Sequence, residues 1–524
     1  MDIIKTSRGI KRTITNMGRF KEILTVLAKN GLSEVIYKMQ LHRFFPSGGG
    51  FDEQKEKKER ETTSSFAAKL RRSFEELGPT FIKLGQLLST RDDLFEEEFL
   101  QEMRQLLDKV GPLPFSKVEN QVEEALGRPV KDIFAEIEDT PIGVASIGLV
   151  YRGLLKDGSK VVLKVKRPSI DKKVETDLSI LKFMATSLEK LGDEIKYISP
   201  TRLIDDFSNQ LQQELDFLQE GLNLVRMKKV IDKIDEKEIF YLPQIYKEYN
   251  HRNLIVMEYL EGIPLSNPSL KNKKDLEEKL MDGVAVFMSS LLSEGFFHAD
   301  LHAGNLFYLK NEKVGVVDFG LVGQLGKKAR LNLLSLLYSL VNFDFENLVY
   351  EFLDVATYEE MPDVDLVIRD VKSALSPFVG LTVRQTNLAL LLNSVIQVMS
   401  RHRVYLPRDW FIVFRALIML DGLGKVMELD FDIYSILGKE LSKSASGPFD
   451  KAYLQEEGLY LSKDIIALLR ILPRHLRWFI RDRSRDGYQL KIKLGETDKS
   501  IKQLSSSFFF LAQCLLTIIF FTPK

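Results

Sequence analysis

The sequence predicts an α+β chain of two lobes, the first built on a sheet and the second mainly helical. Three observations lead there. Val161-Val-Leu-Lys164-Val165 is a β-branched run of strand type, and it follows Gly148-Leu-Val-Tyr-Arg-Gly-Leu-Leu155 and the turn Lys156-Asp-Gly158. Leu254-Ile-Val-Met257-Glu258-Tyr259-Leu260 is a second apolar strand, leading into Glu261-Gly262. His298-Ala-Asp300-Leu-His302-Ala-Gly-Asn305 is a loop followed, thirteen residues after Asn305, by Asp318-Phe319-Gly320. Between loop and Asp318, Leu306-Phe-Tyr-Leu and Val314-Gly-Val-Val read as a hairpin turning at Lys310-Asn-Glu-Lys.

The residue types explain the order. Phosphoryl transfer asks little covalent chemistry of a protein: one carboxylate to orient the nucleophile, and a carboxylate plus an amide to hold magnesium against the phosphates. Asp300 suits the first task, Asn305 and Asp318 the second. Asp300 and Asn305 stand five apart, the spacing of the kinase catalytic loop. Lys164 precedes them on its strand, placed to reach the α- and β-phosphates. Met257, Glu258 and Tyr259 line a candidate hinge, where adenine would meet backbone groups. This is the order of a bilobal protein-kinase-like fold. A zinc pair, His298 with His302 four residues on, is the competing reading, but no glutamate sits as in His-Glu-x-x-His.

A glycine-rich phosphate loop is missing. Its place holds Pro141-Ile-Gly143-Val144-Ala145-Ser146-Ile-Gly148, whose small residues let backbone amides approach a phosphate. Four motifs together resemble the UbiB (AarF-like) family of atypical kinases. They are Lys83-Leu-Gly85-Gln86, the small-residue loop ending Ala145-Ser146, Glu214-Leu-Asp216 with Glu220 and Asn223 behind it, and the His298–Asn305 loop with Asp318-Phe-Gly. The resemblance runs from about Ser64 to Phe431, through Leu406-Pro-Arg-Asp-Trp410 and Leu420-Asp-Gly-Leu-Gly424.

The resemblance implies ATP or ADP with magnesium as cofactors, and slow hydrolysis or small-molecule phosphorylation rather than protein phosphorylation. It implies that Lys164 pairs with Glu220, and that Lys83 reaches over the site to Glu214 and Asp216, gating it together with Gln86. On one continuous helix Asp216 and Glu220 share a face, whereas Glu214 lies about 240° around from Glu220. One helix then serves both lysines if Glu214 sits at its frayed start. The chain departs from the family at Gly143, where alanine is usual, at Leu149 in place of a loop glutamine, and at Leu301 and Ala303 in place of prolines. None of these removes a charged group; the glycine bears on the ATP versus ADP preference.

Composition bounds the partners. The 524 residues carry 74 basic and 74 acidic side chains, a balance that argues against nucleic acid. Basic residues concentrate at the ends, with nine against three acidic in Met1–Phe44 and seven against two in Arg474–Lys493, beside Trp478 and Phe479. Such stretches suit an anionic lipid surface. Residues 505–522 hold no charge, and as a helix they would span about 27 Å, near the ~30 Å of a bilayer core. A buried core helix is the alternative. Lys491, Lys493, Lys499 and Lys502 precede the segment, so the positive-inside rule sets the kinase-like lobes in the cytoplasm, on a bacterial inner membrane. The sole cysteine, Cys514, excludes an intrachain disulfide.

The expected domains are 1–60, a basic amphipathic segment and linker; 61–140, a helical extension with Lys83; 141–260, the first lobe; 261–442, the second; 443–504, a juxtamembrane region; and 505–522, a membrane-anchoring helix. The leading functional expectation, from the resemblance, is a membrane-associated atypical kinase or ATPase supporting ubiquinone or menaquinone biosynthesis. Quinone precursors or quinone-biosynthesis proteins would be its partners. The alternatives are a nucleotide-switched lipid-binding scaffold and a phosphotransferase of the aminoglycoside or choline kinase type.

Overall fold

The computed structural model describes residues 17–39, 41, 65–89, 91, 95–106, 111–191, 199–271, 273–358, 360–378 and 388–427. Helix α1 (Met17–Lys29) ends at Asn30-Gly31, where Gly31 takes φ +82°, and α2 (Ser33–Lys38) follows. This left-handed glycine divides the described part of the basic amphipathic segment into two helices. The apolar stripe Phe20, Ile23, Leu24, Val26 and Leu27 enters the core of the protein. That face is therefore covered by the chain itself and is not a lipid-facing one.

Three helices form the extension: α3 (Phe66–Leu77), α4 (Pro79–Leu88) and α5 (Glu97–Arg104). Gly78, at φ +94°, turns the chain, and Pro79 starts α4, where its missing N–H costs nothing. A Cβ on Gly85 would stand 2.1 Å from Leu106 Cδ1 and 2.9 Å from Phe74 Cδ2, so only glycine lets α4 nest against its neighbours. Short helices α6 (Glu119–Leu126) and α7 (Val130–Ile133) lead into β1 (Phe134–Ile137). The helical expectation for 61–140 fails at this strand. Its four residues are too few to show alternation, and it forms by pairing with residues 16 to 21 positions later on the next long strand.

The first lobe is a five-stranded antiparallel sheet. β2 (Gly143–Val144) and β1 both pair with β3 (Gly148–Leu155), which pairs with β4 (Lys160–Lys166). Helices α8 (Ile170–Leu188), α9 (Pro200–Glu214) and α10 (Phe217–Ile234) follow. The second lobe opens its own sheet with β5 (Phe240–Tyr241), while β6 (Leu254–Glu258) returns to pair with β4. Period-two alternation sorts β4: Val161, Leu163 and Val165 enter a small core with Leu254 and Val256. Val162 and Lys164 consequently face the opposite way, toward the second lobe.

β7 (Gly262–Pro264) leads to α11 (Lys274–Ser289), and β8 (Phe296–His298) opens the loop. The hairpin falls where the sequence predicts, β9 (Leu306–Leu309) against β10 (Val314–Val316), with Val314 opposite Tyr308. β11 (Val322–Gln324) pairs back to β8. Among the described residues five helices follow: α12 (Lys327–Val341), α13 (Phe345–Val355), α14 (Val364–Leu375), α15 (Leu388–Arg401) and α16 (Arg408–Val426). Among the described residues no helix is long and apolar enough to cross a membrane. The segments 443–504 and 505–522, with the expected anchor, lie outside the described residues.

Candidate active site

Lys164, Glu220 and Asp318 meet between the lobes. Glu220 is in the first turn of α10, and both its oxygens accept from Lys164 Nζ, at 2.7 and 2.8 Å. The same ammonium lies 3.5 Å from Asp318 Oδ1. Burial works against the charge on Lys164, but the two carboxylates outweigh it and raise its pKa. The Lys164 charge holds the Asp318 carboxyl down at about 2, helped by the Gly320 N–H and by the charge of Lys83. Asp318 is thus ionised while half of its side chain faces solvent.

Asp318 has φ +63°, a left-handed conformation that an aspartate adopts only at a cost, and several contacts hold it. His298 Nδ1 accepts from the Asp300 N–H at 3.1 Å, so Nε2 carries the proton and donates to the Asp318 carbonyl at 2.7 Å. Burial depresses the His298 pKa and keeps the ring neutral, as this tautomer requires. Both ring nitrogens are spent, which leaves the zinc alternative without its first ligand. Asn223, one turn beyond Glu220, donates to the Phe319 carbonyl at 3.0 Å. Phe319 itself is buried, edge-on to His298.

Asp300 and Asn305 are joined through the backbone, Asn305 Nδ2 donating to the Asp300 carbonyl at 3.1 Å. That contact spends the amide nitrogen and turns the amide oxygen the other way. An ionised aspartate and an amide oxygen are hard oxygen donors. They fit magnesium, which takes one or two protein ligands and fills its octahedron with phosphates and water. Among the described residues no group of three or more His, Cys, Asp or Glu side chains forms a metal cage. A magnesium ion there would be shared with the nucleotide.

Of the residues expected to gate the site, Lys83 and Gln86 sit on α4, and Glu214 and Asp216 divide between α9 and α10. α9 ends at Glu214, and Asp216 caps α10 by accepting from the Leu218 N–H at 3.2 Å. The single helix expected over 214–220 is in fact broken at Leu215-Asp216, because the aspartate satisfies the new helix's free N–H. Lys83 Nζ lies 3.2 Å from Glu214 Oε2, and Asp216 also faces Arg252 at 4.0 Å. Gln86 Nε2 donates to the Leu106 carbonyl at 3.4 Å, a bond that ties α4 to the end of the helical extension.

At the nucleotide loop, Gly143 and Val144 pair with Val150 and Leu149, and the Ala145 N–H donates to the Gly148 carbonyl at 2.9 Å. Ser146 is buried. Sequence reasoning missed Arg167, whose Nε donates to the Ala145 carbonyl at 2.9 Å and whose Nη2 reaches the Gly111 carbonyl at 3.0 Å. At the hinge, Met257 pairs with Val162 and Glu258 with Val161. The N–H of Glu258 donates to Gln244, and that of Tyr259 to Lys160. Those two donors face protein, so an adenine at this hinge would have to meet carbonyls or the backbone from Leu260 onward. The Glu258 carboxylate is likewise occupied, by the Tyr241 hydroxyl at 2.9 Å and the Gln244 N–H at 3.0 Å.

A second missed residue is Arg415, whose Nη2 donates to Asp300 Oδ1 at 2.9 Å. Its signal was present: it is the one charge in the run from Trp410 to Leu420. A cation in an apolar helix must find a partner.

Comparison with known proteins identifies the arrangement. Residues 105–352 match the ABC1 atypical kinase-like domain, and residues 371–432 match the UbiB helical domain. The chain is 28% identical over 484 residues to the chloroplastic protein ACTIVITY OF BC1 COMPLEX KINASE 7 of Arabidopsis thaliana, covering 90% of this chain and 69% of the relative. It is 30% identical over 376 residues to the probable protein kinase UbiB of Marinobacter nauticus, covering 70% and 68%. Against the probable protein kinase UbiB of Actinobacillus pleuropneumoniae it is 27% identical over 435 residues, covering 80% and 79%. With both family domains in order and the kinase-like residues gathered in one cleft, the chain belongs to the UbiB family of ABC1 atypical kinase-like proteins.

Proposed function

We propose that this protein binds ATP with magnesium and transfers or hydrolyses its terminal phosphoryl group, acting at a membrane in support of isoprenoid quinone biosynthesis. The observation that carries the phosphoryl-transfer reading is Lys164, held at once by Glu220 and by the ionised Asp318. That is the pairing through which a kinase fixes the phosphates and the metal together. In this reading Asp300 orients the nucleophile, while Asn305 and Asp318 hold magnesium. The metal neutralises charge on the phosphates when bound. Residues 143–146 cover the phosphates, and Lys83 and Glu214 close the site.

Chain length favours a small acceptor or water over a polypeptide. Asp318 and the start of α12 at Lys327 are only nine positions apart, and β11 occupies three of the intervening residues. Little chain is left there to dock a peptide. The quinone assignment rests on family membership, and membrane association on the basic and apolar stretches of the sequence.

Calorimetric titration of the full chain with ATP tests the reading. The wild type is expected to bind ATP with a magnesium requirement. Asp318→Asn, which removes the charge that holds the metal, is expected to lose that requirement and most of the affinity. Unchanged magnesium-dependent affinity in the variant would sink the metal role.

A further inference from the structure

We infer that Arg415 is a positioning residue for phosphoryl transfer, through which the C-terminal helical region completes the active site. The inference rests on the phosphoryl-transfer reading above and adds a part that no catalytic-loop motif contains. Asp300 is fixed at its backbone from two sides, its N–H by His298 and its carbonyl by Asn305. Neither contact sets the rotation of its carboxylate. Arg415 does so, donating to Oδ1 at 2.9 Å from a helix 115 residues away in sequence. A nucleophile's hydroxyl can then approach Oδ2 while Oδ1 stays held.

Burial and charge support the assignment. Arg415 lies between Phe414 and Ala416, both in the core, yet its head reaches a carboxylate that is 32% exposed at the cleft. Its Nε is buried and makes no hydrogen bond among the described residues, so Nη2 makes the contact to Asp300. From Leu301 to Gly304 the loop carries no lysine or arginine. The cation that accompanies Asp300 therefore comes from α16. A shift of that helix would release the carboxylate, which couples the helical region to the chemistry.

The test is a double-mutant cycle on the full chain, reading magnesium-ATP hydrolysis, ATP affinity and thermal midpoint. Arg415→Met keeps the packing of the stem, and Arg415→Lys keeps a charge. Arg415→Met is expected to lower turnover at saturating ATP by about tenfold to a hundredfold, with affinity changed less than about threefold and Lys recovering part of the loss. In an Asp300→Asn background the same substitution should cost less than about twofold of the residual turnover. An equal loss in both backgrounds, or a loss confined to affinity or melting, would overturn the inference while leaving the phosphoryl-transfer reading intact. A wild type that turns over no ATP removes that reading, and this inference with it.

Discussion

Charged side chains at the cleft work in pairs, and the partners differ in how far apart they lie along the chain. Asn223 and Glu220 occupy one turn of α10, and together they tie that helix to the Asp318-Phe319-Gly320 segment. Asn223→Leu, which cannot hold the Phe319 carbonyl, is expected to raise the magnesium concentration for half-maximal nucleotide binding several-fold. A magnesium titration followed by nucleotide fluorescence measures this, and an unchanged midpoint would deny the asparagine a role in setting Asp318. A second residue-scale expectation concerns packing. Gly85→Ala puts a methyl group into Leu106 and Phe74, and overpacking of this kind costs about 1–3 kcal/mol, read as a lowered melting temperature. Asp300, Asn305 and Asp318 were legible in the sequence from their spacing, Lys164 from its strand and its place before them, and Glu220 only through the family resemblance. Arg167 was not, since it meets its partners 22 and 56 residues away with no local motif, and Arg415 showed only as a lone charge in an apolar run, which names no partner 115 residues away.

Among the elements, β3, β4, β6 and the β9–β10 hairpin followed from their apolar runs, while the short strands β2, β5, β7, β8 and β11 and the junctions between helices did not. The Leu215-Asp216 break hides inside a helical pattern because its cause is one capping aspartate. α1 was ambiguous for a different reason: an amphipathic basic helix looks the same whether its apolar face meets lipid or protein. Arg19 shows which it meets. It pairs with Asp177, a fully buried carboxylate on α8, at 2.8 Å, and its Nη2 donates to the Leu77 carbonyl at 2.7 Å. Arg19→Met would strand that buried charge, and the expected loss is about 3–5 kcal/mol of stability. The double variant Arg19→Met with Asp177→Asn should recover much of it in the same denaturation assay. Equal stabilities for the single variant and the wild type would mean that α1 is not clamped through this pair.

For the whole molecule, the extension and the helical region approach the cleft from two directions, Lys83 on α4 and Arg415 on α16. In the proposed reading the first restricts entry. Lys83→Ala is expected to open the site to the protein's own side chains, so that labelled phosphate from ATP appears on the variant and not on the wild type. An unlabelled variant that still hydrolyses ATP would end the gating idea. The central claim is that these residues form working phosphoryl-transfer machinery at a membrane. Its most direct measurement is ATP hydrolysis by the full chain and by Asp318→Asn, each with and without anionic vesicles. The account predicts turnover that needs magnesium, rises with vesicles and is absent from the variant. Turnover equal in wild type and variant, or absent from both while ATP remains bound, would contradict it.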